Sequence, residues 1–392
     1  MSEEEQNIQE DAKHVNLLDL AGAAVAATAA AARPIRDFVS DNNARLKLDG
    51  SIVTDADLAA QAFIVHTLRQ VSSNVAIIGE EAPEEMSGQN GDLSLTSHND
   101  YISNITRLAK EEVRNRYHGR TECPLAECSV HPVSQDKEEE EEDNAEFDES
   151  SLIVDANRVR VFVDPLDGTK AYASGDYSIV TILIAIILDG QPTFGVIAKP
   201  FRYNHHAALL DTNCVVVYGG VLLHSHVYFA GVSESCSVPP LPVDRPPRAI
   251  ISSSRNEGVV KDFCTALAKQ NLIHPDPLNV SGAGEKSLRL IVGTEQERLW
   301  FFPRSGTSRW DVAATDALLR AMGGKLTNQY GQELDYGLPR QESENTEGIV
   351  ASNDAGLHAE CIRLFREQLI SEGHLIDNEK LNDIQNDEGE RK

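Results

Sequence analysis

Apolar positions along this chain recur with a helical period in some stretches and as near-continuous strand-like runs in others. From Val15 to Phe38 they form a long helix, alanine-rich between Leu20 and Ala32 and expected to be interrupted near Pro34, whose ring removes an amide donor. Asp49-Gly50 predicts a turn and Ser51–Thr54 a short extended segment. A second helix is expected from Asp55-Ala56-Asp57 to Gln70, capped by Asp55, with Leu58, Ala59, Ala62, Ile64, Val65 and Leu68 on its apolar face. An amphipathic helix follows around Asp100–Arg116.

Strand character then takes over. Val159–Val163 reads as a strand; Asp176–Leu188 and Phe194–Ala198 read as two more, joined through Asp189-Gly190-Gln191-Pro192. The run Ser178–Leu188 is almost wholly apolar and β-branched, as in a strand buried on both faces. Extended segments continue at Ala207–Leu210 and Val215–Tyr218. Five prolines between Pro239 and Pro247 mark a linker. Beyond it Ala249–Ser252 (strand), Glu257–Gln270 (helix), Lys286–Val292 (helix), Arg298–Phe302 (strand) and Val312–Met322 (helix, closed by Gly323-Gly324) form an α/β pattern. The division predicted is a flexible 1–12, an α+β lobe over 13–240, an α/β lobe over 241–370 and a polar tail at 371–392. A disordered acidic insert is expected near 118–157, because Glu138–Asp143 is an unbroken run of carboxylates.

Composition narrows the possibilities. With 392 residues, 41% of them apolar, the chain can build a sizeable core. A net charge of −27 argues against polymeric nucleic acid or an anionic membrane as partner, since both are bound through clustered Lys and Arg. Any bound anion would need local bases, for which Lys170, Lys286, Arg289 and Arg309 are candidates. Six cysteines show no repeated ligand spacing and read as reduced thiols, Cys123 and Cys128 included. Leu20–Ala32 is shorter than the roughly 20 apolar residues of a membrane span and follows an acidic leader, so a cytoplasmic protein is expected.

The chemistry concentrates in Val161-Phe162-Val163-Asp164-Pro165-Leu166-Asp167-Gly168-Thr169-Lys170, which closes an apolar run with two carboxylates, a glycine and a hydroxyl. Hard divalent cations take carboxylate and carbonyl oxygens and commonly contact substrate phosphate. Asp164, the Leu166 carbonyl and Asp167 could present such oxygens on one tight turn shaped by Pro165. Glu80 and Glu81 follow the apolar Val75–Ile78, and Asp311 follows Trp310, expected to be a buried ring, at a helix start. The Thr169 hydroxyl could orient a water, and the Gly168 and Thr169 amides could meet phosphate oxygens if a helix begins there. Lys286 and Arg289, one helical turn apart, could face one anion.

The chain order Asp57, Glu80-Glu81, Asp164-Pro165-Leu166-Asp167-Gly168-Thr169, Trp310-Asp311 resembles the lithium-sensitive, magnesium-dependent phosphatase superfamily of inositol monophosphatases, inositol polyphosphate 1-phosphatases and 3′(2′),5′-bisphosphate nucleotidases, over roughly residues 41–355. The resemblance implies a layered α-β-α-β-α sandwich with the site between its lobes. It also implies two or three Mg²⁺ ions, one on Glu80, Asp164 and the Leu166 carbonyl and one on Asp164, Asp167 and Asp311, with Glu81 behind them or on a third ion. Asp57 would accept a proton from Thr169, although it also reads as a helix-capping acid. Gly282-Ala283-Gly284-Glu285-Lys286 with Arg289 resembles a nucleotidase segment that holds a second phosphate; Ser254-Arg255-Asn256-Glu257 departs from the Ser-Arg-Ser-His seen there. Substrate contacts are therefore expected from Gly168, Thr169, Ser254, Gly282, Lys286 and Arg289. The implied substrate is a small phosphorylated molecule, adenosine 3′,5′-bisphosphate or alternatively an inositol polyphosphate, and the oligomeric state stays open.

Overall fold

The computed structural model describes residues 13–40, 43–47, 50–82, 95–128, 148–201, 214–237, 245–293 and 296–371. A short strand β1 (His14–Asn16) leads into helix α1 (Leu17–Asp37), whose N-terminus is capped by the Asn16 side chain accepting from the Leu18 and Asp19 amides. Contrary to expectation, Pro34 does not interrupt α1: it lies in the last turn, where its fixed φ suits a helix and only one donor is lost. With its extension to Ser40 the helix is long and apolar enough to cross a membrane, more than the sequence suggested, and it lies 83% buried inside the fold.

A small hairpin, β2 (Arg45–Leu46) and β3 (Ile52–Val53), precedes helix α2 (Asp55–Arg69). The cap of α2 is Thr54 rather than Asp55, whose carboxylate instead pairs with Arg45 and Asn43. Strand β4 (Ala76–Gly79) and helix α3 (Leu95–Tyr117) follow. Of the stretch 118–157 expected to be a disordered insert, residues 118–128 and 148–157 are folded, and 129–147 lie outside the described residues. Strand β5 (Ile153–Asp155) pairs with β1, Val154 is in the core, and Glu149 binds Arg114 and His118. The acidic run Glu138–Asp143 lies outside the described residues, as do Ala207–Leu210, most of the proline-rich linker and the two termini.

Next come β6 (Val159–Asp167), the short helix α4 (Thr169–Ala173), β7 (Thr181–Leu188), β8 (Gln191–Lys199), β9 (Val215–Gly220) and β10 (His226–Phe229). They form a six-stranded sheet in the order β10-β9-β8-β7-β6-β4, antiparallel except for β4 beside β6. Strand β7 starts later than predicted, and its hairpin to β8 turns on Asp189 and Gly190 alone, both with positive φ (51° and 78°), so Gln191-Pro192 belongs to β8.

The remaining elements are β11 (Arg248–Ser252), α5 (Val259–Lys269), β12 (Leu278–Val280), α6 (Ala283–Val292), β13 (Glu297–Phe302), α7 (Arg309–Ala321), β14 (Lys325–Thr327), β15 (Ile349–Ser352) and α8 (Ala355–Ser371). A second sheet runs β12-β11-β13-β15-β14. Helix α7 ends as foreseen: the Gly323 amide reaches Arg320 and the Gly324 amide reaches Leu319.

Three apolar clusters define the layers. Helices α1, α2 and α3 cover one face of the first sheet. Helices α6 and α7 fill the space between the sheets, where Leu183, Ile197 and Phe162 meet Ala314, Leu318 and Trp300. Helices α5 and α8 cover the far face of the second sheet. The fold is the five-layer α/β sandwich anticipated, and α7 is its middle layer. That position puts the start of α7 beside the ends of β4 and β6.

Candidate active site

Asp164-Pro165-Leu166-Asp167 is not the free turn expected after a strand; it is the end of β6. Asp164 pairs with Leu183 and Asp167 with Thr181, so β6 carries one residue more than β7 across this interval. Such a bulge tolerates a proline and re-aims its side chains. Asp164 is buried, and its Oδ1 accepts from the Leu166 amide at 3.0 Å. Asp167 Oδ2 accepts from the Gly284 amide at 2.8 Å and the Thr181 hydroxyl at 3.2 Å. Gly168 then takes a φ of 91°, which few other residues hold cheaply, and α4 begins at Thr169.

Because β4 runs parallel to β6, Gly79 lies opposite Val163, and the Glu80 amide donates to the Val163 carbonyl at 3.0 Å. Glu80 thereby comes beside Asp164, close enough for each carboxyl to shift the other's titration. Asp311 arrives from the other lobe as the third residue of α7, its Oδ2 accepting from the Ser308 amide at 2.7 Å. Burial, and after it repulsion by Glu80 and Asp167, holds Asp311 well above the ordinary carboxylate range. Asp164 is raised in the same way by burial and then by Glu80, Asp167 and Asp311. Glu80 and Asp167 are also raised, chiefly by burial. Glu81 is pushed up to about 8 by burial and by Glu80, and Lys47 contacts its two oxygens at 2.8 and 2.7 Å.

Among the described residues no three His, Cys, Asp or Glu side chains are drawn together into a ready-made metal cage. The donor set nevertheless suits a hard divalent cation. It is all oxygen, it carries four carboxylates that destabilise one another as anions, and a backbone N–H orients one oxygen of Asp164, Asp167 and Asp311.

Asp57 fulfils both readings the sequence left open. Its Oδ2 accepts from the Thr54 amide at 2.8 Å and from the Thr54 hydroxyl, completing a capping box, while its Oδ1 accepts from the Thr169 hydroxyl at 2.8 Å. The Thr169 hydroxyl also lies 3.1 Å from the Leu166 carbonyl. Asp57 is fully buried and its carboxyl is pushed up to about 7, by burial first, with Glu80 adding to the rise and the Thr54 and Thr169 hydrogen bonds opposing it.

The predicted bases separate. Lys286 does come to the cluster: burial lowers its pKa, and the charges of Asp167 and Asp311 oppose that fall. Its Nζ donates to the Gly282 carbonyl at 2.8 Å and stands over the Trp300 ring. Arg289 does not share an anion with it, because its guanidinium is engaged by Glu285 at 3.1 Å and Glu297 at 3.4 Å. Arg309 is buried against the Asp335, Ser343 and Glu344 carbonyls and the Asn345 side chain, and so is structural. Lys170 is exposed on α4 and Ser254 is exposed just beyond β11. The Ala283 and Gly284 amides of the Gly282-Ala283-Gly284 segment are directed at Asp167. A Cβ at Gly284 would lie 2.0 Å from the Thr181 hydroxyl, which explains the glycine.

Trp310 is half-buried rather than enclosed, under the Arg340 guanidinium; the enclosed tryptophan is Trp300. Sequence reasoning also missed Lys47, Gln61, Arg255 and Arg340. Gln61 bridges α2 to the Glu81 backbone through two hydrogen bonds, and Arg255 adds a charge felt at Lys286. No local pattern marks these residues, since their partners are distant in the chain. A separate cleft on α3, lined by Arg107, Lys110, Arg114, His118 and Glu149 among others, shares no residue with this cluster.

The inositol monophosphatase family pattern matches residues 124–369, more than half of the chain. The 3′(2′),5′-bisphosphate nucleotidase 1 of Dictyostelium discoideum is 25% identical over 348 residues, covering 86% of this chain and 94% of that protein. The protein of the same name from Homo sapiens is 33% identical over 179 residues, 45% of this chain and 52% of its own length. A putative inositol monophosphatase 3 of Drosophila melanogaster is 30% identical over 201 residues, 51% of this chain and 50% of its own. This chain thus spans about half the length of the latter two relatives. Among solved structures, the extragenic suppressor protein suhB of Bartonella henselae superposes with a TM-score of 0.54 at 15% identity, covering 88% of this chain and 98% of its own. An IMPase of Thermotoga maritima does so with a TM-score of 0.52 at 16% identity, covering 88% and 96%.

Proposed function

Since this chain belongs to the inositol monophosphatase family, we propose that it is a Mg²⁺-dependent phosphomonoesterase that removes the 3′-phosphate of adenosine 3′,5′-bisphosphate to give AMP and phosphate. The observation that carries the reading is the 2.8 Å hydrogen bond from Thr169 to the buried Asp57, made at the rim of the four-carboxylate cluster. Glu80, Asp164, Asp167, Asp311 and the Leu166 carbonyl would hold Mg²⁺, and Glu81 supports them. Mg²⁺ held there would supply charge neutralisation, a Lewis acid for phosphate oxygen and a more acidic water.

The protein's own residues supply the rest. Thr169 donates its proton to Asp57, so its hydroxyl oxygen is left as the acceptor that orients a water for in-line attack. As that water gives up a proton to the Thr169 oxygen, the proton Thr169 already shares with Asp57 passes to the Asp57 carboxylate, so that a single proton is transferred in all. The Gly168 and Thr169 amides, at the start of α4, would donate to the phosphate oxygens. Lys286, with Arg255 nearby, supplies positive charge on the substrate side of a strongly acidic chain.

The nucleotide is favoured by the bisphosphate nucleotidase relatives. A second reading, an inositol polyphosphate as substrate, is favoured by the inositol monophosphatase 3 relatives. Phosphate release measured side by side on adenosine 3′,5′-bisphosphate and inositol 1,4-bisphosphate decides between them. Preferred turnover of the nucleotide upholds the first reading, and equal or greater turnover of the inositol phosphate rejects it.

A further inference from the structure

We propose that Arg340 is a positioning residue that keeps Glu80 in register with Asp311, an inference that rests on the reading of both as ligands of the same metal centre. Arg340 Nε donates to the Gly79 carbonyl at 2.9 Å, and a terminal nitrogen donates to the Glu80 carbonyl. The guanidinium carbon lies 5.7 Å from the centre of the Trp310 ring, the residue before Asp311. One planar group therefore touches the backbone of the first acid and the neighbour of the second.

The need for such a group follows from the sheet. Strand β4 is an edge among the described residues: β6 pairs with one side of it, and no other described strand covers the other. Carbonyls at an edge must find donors elsewhere; Gln61 holds the Glu81 backbone, which leaves the Gly79 and Glu80 carbonyls. Arg340 supplies those donors from the other lobe. It is itself held, because the segment carrying it is anchored on both flanks. Arg160 of β6 donates to the Leu338 carbonyl at 3.0 Å. Arg309 donates to the Asp335 carbonyl at 3.2 Å, the Glu344 carbonyl at 2.9 Å and Asn345 Oδ1 at 2.6 Å. Asp335–Asn345 is thus a strap from the start of α7 to the end of β4. Lysine could not replace Arg340, since a single ammonium lacks the flat fork that meets two carbonyls while stacking on a ring.

The test is a calorimetric titration of Mg²⁺ into the wild-type protein and into Arg340→Gln, Arg340→Lys and Glu80→Gln, with the metal-free thermal midpoint of each. The expected result is that Arg340→Gln weakens Mg²⁺ binding about tenfold to a hundredfold. Arg340→Lys recovers only part of that loss. Turnover of Arg340→Gln at saturating Mg²⁺ returns toward wild type, and the metal-free midpoints barely move. Should Arg340→Gln fail to fold, Arg340→Lys carries the same comparison. If Glu80→Gln loses Mg²⁺ while both Arg340 variants bind it as wild type does, the positioning role is rejected and the site reading stands. If Glu80→Gln binds Mg²⁺ normally, the site reading itself falls. A lower midpoint in the Arg340 variants with unchanged Mg²⁺ affinity means that Arg340 is merely structural.

Discussion

Helices α2 and α7 begin in the same way, in different lobes. Thr54 and Ser308 both stand in extended backbone with φ of −117°, and the third residue of each helix, Asp57 or Asp311, returns a carboxylate oxygen to the cap's amide at 2.8 or 2.7 Å. Each acid is thus fixed by the same local device. Their surroundings separate them. Both feel Glu80, but Asp57 is closed off from water and spends its other oxygen on Thr169, whereas Asp311 is less enclosed and also feels Asp167. A capping box sets where a carboxylate points, and the element it points at sets what the carboxylate does. On this account Asp57 handles a proton and Asp311 handles a cation.

The hardest blow to that contrast comes from neutralising each acid in turn. Asp311→Asn should lower kcat/KM by about 10³-fold or more, several kcal/mol of lost charge stabilisation, and weaken Mg²⁺ binding together with it. Asp57→Asn should cost about 10²–10⁴-fold in turnover while leaving Mg²⁺ affinity unchanged, as removal of a general base does. Steady-state rates across a Mg²⁺ titration separate the two outcomes. If both variants shift the Mg²⁺ midpoint equally, the division of labour is wrong.

A smaller effect is readable without turnover. The Asp57 carboxyl is raised from its ordinary 3.8 to about 7 in the fold, so the folded state keeps a proton that the unfolded chain gives up between those values. Its contribution to stability is complete below pH 4 and is lost as pH rises through 7. Relative to the wild type, metal-free Asp57→Asn should therefore gain about 2–4 kcal/mol between pH 4 and pH 8, seen in urea unfolding with EDTA present. A flat difference between the two proteins across that range contradicts the burial of an ionisable Asp57.

The mildest changes remove the caps themselves. Thr54→Ala and Ser308→Ala should each cost about 1 kcal/mol of stability. Only Thr54→Ala should also depress turnover at saturating Mg²⁺, because the Thr54 hydroxyl is one of the groups that orient Asp57. Equal effects on turnover from the two variants would show that the caps serve stability alone.

How much of this was legible in the sequence depended on the range of the interaction. The layers follow from periodicity: the fully buried β7 and the alanine-rich α1 are written in local composition. The acids Glu80, Asp164, Asp167 and Asp311 stood out by residue type at element ends, and Asp57 only through the family resemblance. What local pattern could not show was which charges are already spent. Arg289 lies on the expected helix, yet Glu297, on the following strand, helps to hold it. Arg309 precedes the acid helix and reads as a free base, but backbone carbonyls of a later loop enclose it. Lys47 and Arg340 reach the cluster from a small hairpin and a single turn, neither of which carries a motif. Thr54 could have been found, since Thr54-Asp55-Ala56-Asp57 has the reciprocal spacing of a capping box.

The most direct test of the central claim is phosphate release from adenosine 3′,5′-bisphosphate by the purified full-length protein as Mg²⁺ is titrated, run beside Asp57→Asn. The account predicts release that rises from nothing with Mg²⁺ and yields AMP. It also predicts that the variant's curve keeps the same midpoint at a rate lowered by about two orders of magnitude or more. No release at saturating Mg²⁺, or release indifferent to Mg²⁺ and to Asp57, would contradict it.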